Sequence, residues 1–240
     1  MGVCSLITHC SGRNRQQICR LPLEMSTGFP HQQQVMLQLE TYTGGIVETN
    51  GHLLRLPRYN LLVDAPQGVA GWLESQNVKV DALFLTHQHF DHVMDAAAVK
   101  EGHQCPVYAW TEFDRNLTLE RFFGAMAGSA FSVPEFTVDH VLKEVTEVEA
   151  VGQTWKLQHI PGHSPDSLCF WLEEAGLLFS GDVIFSGSLG RSDFPGGSHQ
   201  QLVKGIREKL WALPAETQVF SGHGPDTTLG EERETNPFLQ

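Results

Sequence analysis

Apolar and polar residues alternate along many short runs of this sequence, and such alternation predicts a protein rich in β-strands. The run VMLQLETYTG at residues 35–44 alternates in this way, whereas the apolar run ALFL at 82–85 indicates a buried strand. Asn50-Gly51 is a turn-forming pair and is expected to separate two strands. The predicted strands cover residues 35–44, 51–56, 60–65, 82–85, 106–110, 141–145, 154–160, 167–173, 176–182 and 217–222.

Helical spacing of apolar residues is clearest near the end of the chain. Leu202, Ile206, Leu210 and Leu213 fall on one face of a helix predicted over 199–213. Along the chain, the predicted strands form two groups, and each group is followed by helices. This order predicts two sheets packed face to face with helices outside. Further helices are predicted over 68–76, 96–101 and 114–126.

The first 35 residues differ from the rest of the chain in charge and in cysteine content. They contain three arginines and one glutamate, although the full chain of 240 residues has a net charge of −12. We predict a leader over 1–35, either disordered or an extension ahead of a later start, and one domain over 36–240. The two cysteines of that domain, Cys105 and Cys169, do not form a disulfide framework, so we expect a reducing, cytoplasmic location.

Composition excludes several classes of function. No apolar run approaches the roughly 20 residues that cross a bilayer, so no membrane association is expected. An acidic chain without a basic patch is not suited to binding a phosphate backbone, which excludes nucleic acid as a general partner. We expect a monomer or a homodimer. The 12 histidines are an unusual feature of the composition.

Four potential metal ligands lie within the six residues 87–92, just after the predicted strand at 82–85. Imidazole and carboxylate groups are common ligands of zinc and similar ions. His87 and His89 alternate as the chain leaves the strand, so both can face one ion. Asp91 and His92 follow on the first turn of a helix and can address a second ion beside it.

Three later turns repeat one layout, in which a ligand-type residue follows a strand and a glycine. These turns are IPGHS with His163, FSGD with Asp182 and FSGHG with His223. Glycine permits the tight turn and the close backbone approach that a metal pocket at strand ends requires.

The motifs THxHxDH, PGHS, SGD and SGHG resemble those of the metallo-β-lactamase superfamily, whose members are metal-dependent hydrolases. The resemblance implies an α+β fold, an αββα sandwich of two mixed sheets. It also implies that Asp182 bridges two ions, and that Asp64 supports the site from behind the ligands. For Asp64, a role as the cap of a strand-end turn is the alternative. By the same resemblance, the first ion takes His87, His89 and His163, and the second takes Asp91, His92 and His223.

The segments SGSLGRSDFPGG and GEERETNPFL resemble the small, glyoxalase II-like branch of this family, which hydrolyses thioesters such as hydroxyacylglutathione. In that branch a basic residue at the position of Arg191 contacts the substrate. Arg191 is therefore expected either to bind a substrate carboxylate or to pair with Asp193.

The resemblance implies two divalent cations, with zinc expected and iron or manganese as alternatives. A water that bridges two such cations is largely hydroxide near neutral pH, because a metal lowers its pKa to about 7. This hydroxide attacks a carbonyl carbon, Asp182 holds the ions together, and Asp91 accepts a hydrogen bond from the nucleophile. The expected substrate is a small anionic thioester or ester.

Other activities of the same fold remain open. A persulfide dioxygenase-like oxidoreductase would bind one iron at His87, His163 and Asp182, and a lactonase or another ester hydrolase of the same fold is a further alternative. Lactam hydrolysis is less favoured, because zinc β-lactamases usually have cysteine at the position of Asp182. A binding module without activity is disfavoured because all seven ligand positions are filled.

Overall fold

The computed structural model describes residues 8–11, 14–17, 37–127 and 131–240. The first sheet contains, in spatial as in chain order, β1 (Thr8–Ser11), β2 (Asn14–Gln17), β3 (Gln38–Gly44), β4 (Thr49–Arg55), β5 (Asn60–Val63), β6 (Ala82–Phe84), β7 (Val107–Ala109) and β8 (His140–Val141). The later strands are β9 (Glu147–Ala150), β10 (Gln153–His159), β11 (Leu168–Leu172), β12 (Leu177–Gly181), β13 (Ile184–Phe185), β14 (Ser188–Leu189), β15 (Gln218–Ser221) and β16 (Thr227–Thr228).

The second sheet has the order β16-β15-β12-β11-β10-β9, and β13 pairs with β14 in a separate hairpin. Both large sheets are mixed, because β5 to β8 pair in parallel in the first, as do β12 and β15 in the second. The helices are α1 (Val69–Ser75), α2 (Phe90–Val93), α3 (Ala96–His103), α4 (Glu120–Ala127), α5 (His199–Gly205) and α6 (Leu229–Thr235), with a π-helical turn at Ile206–Leu210 and a 3-10 turn at Glu173–Ala175.

The two sheets pack face to face, and each is covered by helices on its outer side. Strand β4 shows why, since its side chains are buried on both faces. Leu54 belongs to the core between the sheets, whereas Leu53 packs with α1 and α3. On the other side, Leu178 packs with Leu202 of α5. The predicted αββα sandwich of two mixed sheets is therefore confirmed.

Large aromatic side chains fill the layer between the sheets. Phe84 lies at its centre, with ring centroids 4.5 Å from Phe170, 5.3 Å from Trp155 and 4.9 Å from Tyr108. Phe84, Phe170 and Trp155 are fully buried. Because Phe84 ends β6 and Phe170 lies on β11, these ring contacts fix the spacing between one strand of each sheet.

Several strands end at a common edge of the sandwich. Strands β10, β12 and β15 run in one direction within the second sheet, since β11 is antiparallel to both β10 and β12. Strands β5 and β6 are parallel in the first sheet. The backbone N–H of Leu168, at the start of β11, donates to the carbonyl of Thr86, just beyond β6, at 2.8 Å. The segments that follow β6, β10, β12 and β15 therefore lie close together.

The predicted turn at Asn50-Gly51 is wrong, because both residues lie inside β4. The chain turns instead at residues 45–48. Gly51 allows a close approach of two segments: a Cβ there would lie 2.9 Å from Cδ of Pro66 and 3.1 Å from the carbonyl oxygen of Asp64. The glycine thus serves packing rather than chain reversal.

The strand predicted over 141–145 is also wrong. Strand β8 ends at Val141, and a turn follows in which the backbone N–H of Val145 donates to the carbonyl of Leu142 at 3.0 Å. Glu144 adopts a left-handed conformation there, with φ of 65°. The pattern of residues also missed β9 and α6. Helix α6 is capped at its N-terminus by Thr228, whose side chain accepts a hydrogen bond from the backbone N–H of Glu231.

The predicted leader contributes two described strands. Strands β1 and β2 pair with each other, and β2 pairs with β3 of the first sheet. The other residues of 1–36 lie outside the described ranges, and the boundary at residue 36 stays a prediction. Across the part of the chain that the structure describes, no helix has the length and apolar character needed to span a bilayer.

Replacement of Phe170 by alanine tests the importance of the inter-sheet layer. We expect Phe170→Ala to lower the free energy of unfolding by about 3–5 kcal/mol, because it opens a cavity between the sheets. Phe238→Ala is the matched control, since Phe238 is 53% exposed, and it should change stability by about 0.5 kcal/mol or less. Urea denaturation followed by tryptophan fluorescence measures both, and equal losses would contradict the assignment.

Candidate metal centre

The seven residues predicted as metal ligands meet at the common edge of the two sheets. Each follows a strand directly or lies on the short helix α2, so the rigid sheets fix where its backbone lies. The first sheet contributes His87 and His89 after β6 and Asp91 and His92 on α2, and the second contributes His163 after β10, Asp182 after β12 and His223 after β15.

The nitrogen and oxygen atoms of these side chains form three overlapping groups. Within each group the candidate ligand atoms all lie within 4.8 Å of one another. Every member is buried except Asp91 and His223, which are partly exposed to the cleft in front of the site. The groups are His87, His89 and His163; His87, His92 and Asp182; and Asp91, His92 and His223.

The carboxylate of Asp182 lies between the two outer groups. Its Oδ2 is 3.4 Å from Nε2 of His163 and 3.4 Å from Nε2 of His223. Its Oδ1 is 3.2 Å from Nε2 of His92. One carboxylate therefore reaches both groups, as the position of a bridging ligand requires.

The donor atoms of the site fit divalent cations. Among the described residues, Nε2 of His92 and Oδ1 of Asp182 are buried without a hydrogen-bond partner. In addition, Nε2 of His87 and Nε2 of His163 face each other at 3.2 Å. Buried polar atoms without partners are costly, and convergent lone pairs of imidazole and carboxylate groups are what a cation of the zinc type binds.

Burial keeps one set of imidazoles neutral. It lowers the pKa of His89 to about 3 and holds the pKa of His87 well below its usual value, with neighbouring imidazoles adding to both effects. Burial also lowers the pKa of His163, against the charge of Asp182. A neutral imidazole is the form that ligates a metal, so these three side chains are ready to bind at neutral pH.

The other pair of histidines behaves in the opposite way. Burial opposes protonation of His223, but the carboxylates of Asp182 and Asp91 outweigh it and raise its pKa to about 10. The same balance holds the pKa of His92 well above its usual value. Burial acts against the ionisation of Asp91, yet His92 and His223 lower its pKa to about 2. Without a cation, this half of the site is therefore neutralised by protons.

Residues 44–223 match the sequence model of the family described as Metallo-beta-lactamase superfamily. That segment contains the whole set of clustered donors and most of both sheets. The chain belongs to the metallo-beta-lactamase superfamily.

Members of the superfamily with known sequences support this assignment along most of the chain. The probable metallo-hydrolase YqgX of Bacillus subtilis is 33% identical over 81% of this chain and 94% of its own. Hydroxyacylglutathione hydrolase GloC of Haemophilus influenzae is 33% identical, with coverage of 70% and 79% respectively.

Solved structures of the superfamily agree with the fold. The B3 metallo-beta-lactamase BLEG-1 is 33% identical, with a TM-score of 0.76 over 84% of this chain and 99% of its own. The protein TTHA1623, solved in a di-iron-bound form, is 34% identical, with a TM-score of 0.70 over 83% and 99%.

Asp64 lies behind the seven predicted ligands of this superfamily member and contacts both His92 and Thr86. Its Oδ2 accepts from Nδ1 of His92 at 2.8 Å, which leaves Nε2 of that ring free to face the cluster. Its two oxygens also accept from the backbone N–H and the hydroxyl of Thr86, at 2.8 and 2.7 Å. The contact with His92 is what a residue that orients a metal ligand requires, and the contacts with Thr86 are what the cap of a strand-end turn requires.

The start of β4 holds the ligands from the front, and sequence reasoning missed it. The Thr49 hydroxyl donates to Oδ2 of Asp91 at 2.7 Å. The side-chain amide of Asn50 donates to the carbonyls of Ser221 and Gly224 at 3.1 Å each, which fixes the turn that carries His223. Two consecutive polar residues at the head of this strand, just before the turn-forming Gly51, were the available signal.

Asp166 is a second group that sequence reasoning missed. Its carboxylate accepts hydrogen bonds from the backbone N–H of Gln88 at 2.9 Å and from the hydroxyl of Ser164. Burial raises its pKa to about 6. Asp166 thus joins the segment between His87 and His89 to the turn that carries His163.

Arg191 lies at the rim of the cleft and makes the alternative contact considered from the sequence. Its Nε and Nη2 donate to the two carboxylate oxygens of Asp193 at 3.0 and 2.8 Å. The guanidinium also lies 4.5 Å from the ring centroid of Phe194. Its side chain is 65% exposed and lines the cleft, so a role in substrate binding stays a prediction. Its backbone carbonyl accepts from Nδ1 of His163 at 2.6 Å.

Gly222 leaves the space that the donor cluster needs, which gives a direct test. A Cβ at this position would lie 2.2 Å from Oδ1 of Asp182 and 2.5 Å from Cε1 of His92. We expect Gly222→Ala to displace the Asp182 carboxylate and to weaken metal affinity by about 10-fold or more. Competition with a chelating dye measures the affinity. Gly71→Ala, where an added Cβ meets no atom within 4 Å, is the matched control, and equal affinities for both variants would contradict the role of Gly222.

The protonation of His223 predicts how metal affinity depends on pH. Because its pKa is raised to about 10, a cation that binds there displaces a proton at any lower pH. Affinity for that cation should rise about 10-fold per pH unit for each proton displaced and should level off above about pH 10. A cation held by His87, His89 and His163 displaces no such proton near neutral pH.

Calorimetry in buffers of different ionisation enthalpy counts the protons released at each binding step. We expect one step between pH 6 and 8 with proton release and one step without it. Two steps with the same dependence on pH would contradict the assigned protonation of the two halves.

Proposed function

We propose that this metallo-hydrolase cleaves a small thioester with two divalent cations bound by seven side chains. The observation that carries the proposal is the position of Asp182, whose carboxylate reaches His163 on one side and His223 on the other. A carboxylate placed in this way would suit the shared ligand of a two-cation site such as those of binuclear hydrolases.

The first ion would be held by His87, His89 and His163, and the second by Asp91, His92 and His223. Zinc suits these nitrogen and oxygen donors, and iron or manganese are the alternatives. Two bound cations supply a water acidic enough to act as a nucleophile near neutral pH and a positive charge opposite the carbonyl oxygen.

Asp91 and Thr49 are the groups that orient the nucleophile in this proposal. Asp91 lines the cleft, and the hydroxyl of Thr49 occupies one lone pair of its Oδ2. The remaining lone pairs of the carboxylate can accept a proton from the attacking water. In the reaction, oxygen adds to the carbonyl carbon, the C–S bond breaks, and the proton leaves with the thiol. The products are a carboxylic acid and a thiol.

The thioester assignment is supported by similarity to GloC, a hydroxyacylglutathione hydrolase by name, at 33% identity. An anionic substrate is supported by Arg191 at the rim of the cleft, since a carboxylate could exchange with Asp193 there. Both oxygen esters and thioesters present the carbonyl group that such a site attacks, so an ester hydrolase belongs to the same proposal.

Hydrolysis of a β-lactam is the second candidate. The similarity to BLEG-1, a B3 metallo-beta-lactamase with a TM-score of 0.76 to this chain, supports it. The amide bond of a lactam requires the same nucleophile and the same stabilisation of a carbonyl oxygen. The two candidates therefore differ in the shape of the substrate, and Asp182, where zinc β-lactamases usually have cysteine, favours the thioester.

The proposal includes a cytoplasmic enzyme, either a monomer or a homodimer, that acts on a small molecule and not on nucleic acid or membranes. Cys105 and Cys169 are free and buried, which supports a reducing compartment. The net charge of −12 argues against a polyanionic partner.

Elemental analysis of the purified protein, followed by a panel of thioester, lactone and β-lactam substrates, tests the proposal. We expect two divalent ions per chain and metal-dependent release of a thiol. Asp182→Asn should lower kcat/KM by about 100-fold or more, because loss of outer partners alone costs 10–100-fold. Glu208→Gln is the control, since it removes one carboxylate from a surface ion pair with Lys204. One iron per chain with oxygen uptake would overturn the proposal.

A further inference from the structure

The cleft in front of the metal ligands has a volume of about 610 Å³, which is large enough for a drug-sized molecule. One side is formed by phenylalanine rings, which we call the aromatic wall: Phe90, Phe123, Phe131 and Phe194. Centroid distances of 5.0–5.3 Å join Phe131 to Phe90, Phe90 to Phe123 and Phe123 to Phe194. The wall is therefore one continuous apolar surface.

The aromatic wall extends to the metal ligands. The ring of Phe194 lies 5.8 Å from that of His89 and 6.1 Å from that of His163, measured between centroids. A group bound at the cations is thus within contact distance of the wall. On the far side of the site, Phe185 lies 5.9 Å from His223.

Exposed aliphatic residues flank the same cleft. Ile46 is 86% exposed and Val47 is 45% exposed at the turn between β3 and β4, which we call the hairpin tip, and Met126 of α4 is 71% exposed. All three line the cleft. Apolar side chains left in water around one concave site indicate a ligand that covers them, because their burial is worth about 25 cal/mol per Å².

Charge in the cleft does not match a polyanionic thiol. Apart from the histidines, Arg191 is the one cationic side chain among the described residues that line the cleft. Its guanidinium already donates to both oxygens of Asp193 and lies over Phe194. A glutathionyl group has two carboxylates and an ammonium, and these lining residues offer it few partners.

We propose that the substrate carries an aromatic group next to the scissile carbonyl, and that this group binds between the aromatic wall and the hairpin tip. The inference rests on the proposed function and specifies its substrate class. Edge and offset contacts between aromatic rings favour an aromatic group over a flexible chain of the same area. The metal-bound end of the substrate stays polar, and one carboxylate can still reach Arg191.

A matched pair of substrates tests the inference. Acetyl and phenylacetyl thioesters of N-acetylcysteamine have the same thiol and differ in one phenyl ring, and their uncatalysed hydrolysis rates correct for reactivity. We expect kcat/KM for the phenylacetyl ester to exceed that for the acetyl ester by about 30-fold or more, from burial of the ring. A ratio below about 3-fold would overturn the inference.

Two variants place the effect in the cleft. Ile46→Asp and Met126→Glu change strongly exposed side chains, so the fold should tolerate them. Each should reduce the phenylacetyl-to-acetyl ratio by about 5-fold or more, because a charge that lines the cleft must be desolvated when the phenyl ring binds. Phe238→Asp makes the same kind of change at an exposed residue that does not line the cleft, and it should keep the ratio. A ratio that neither cleft variant alters would overturn the assignment of the binding surface.

Equilibrium binding separates failure of this inference from failure of the proposed function. Calorimetric titration of the metal-loaded protein with phenylacetate and with acetate requires no turnover. We expect phenylacetate to bind at least 10-fold more tightly, and Ile46→Asp to remove that difference. If neither thioester is hydrolysed but the binding difference is found, the proposed hydrolysis fails and the aromatic subsite stands. If both thioesters are hydrolysed at equal rates and both acids bind equally, the inference fails alone.

Discussion

The buried carboxylate of Asp182 is the constraint on which this structure depends. It is 7% exposed and lies within 3.2–3.4 Å of nitrogen atoms of His92, His163 and His223. An ionised carboxylate in such a place needs a concentrated positive charge, either protons on the imidazoles or cations between them. Without cations, a proton on His223 supplies that charge in one half of the site. In the other half, burial keeps His89 neutral, and a neutral imidazole is the form that a metal-dependent enzyme of this superfamily needs as a ligand.

The two sheets must be held in register for this carboxylate to find its partners. His87 to His92 come from the first sheet, whereas His163, Asp182 and His223 come from the second. Phe84 and Phe170 fix the separation of the sheets in the core. Asn50 then crosses from the first sheet to the turn of His223, so core packing and polar contacts together set the donor distances.

The clustering of the seven candidate ligands could be predicted from the sequence, because each lies in a short motif at a strand end or on the short helix that follows it. His163, Asp182 and His223 each follow a glycine, which marks a tight turn at a strand end. Strands buried on both faces could be predicted equally well, since a short apolar run such as 82–85 is typical of a strand covered on both sides. These features are local, and local patterns suffice for them.

Contacts between distant segments could not be predicted in the same way. Thr49 contacts Asp91 across 42 positions of sequence, and Asn50 contacts Ser221 across 171 positions. Such pairs depend on the register between strands and on which sheet faces which, and neither follows from the pattern of one segment. The predicted turn at Gly51 was wrong for the same reason. This glycine makes room for Asp64 and Pro66, which lie elsewhere in the chain.

Two neighbouring residues of the hairpin tip contact different parts of the site, one the cleft and the other His223. The side chain of Ile46 faces the cleft, while the backbone carbonyl of Val47 accepts a hydrogen bond from Nδ1 of His223 at 3.1 Å. A molecule that contacts this turn would therefore also bear on the imidazole of His223. Because free-energy coupling between two sites is reciprocal, such a molecule and a cation at His223 would change each other's affinity by the same factor. A hydrogen bond of the backbone would thus link occupancy of the cleft to occupancy of the candidate metal centre.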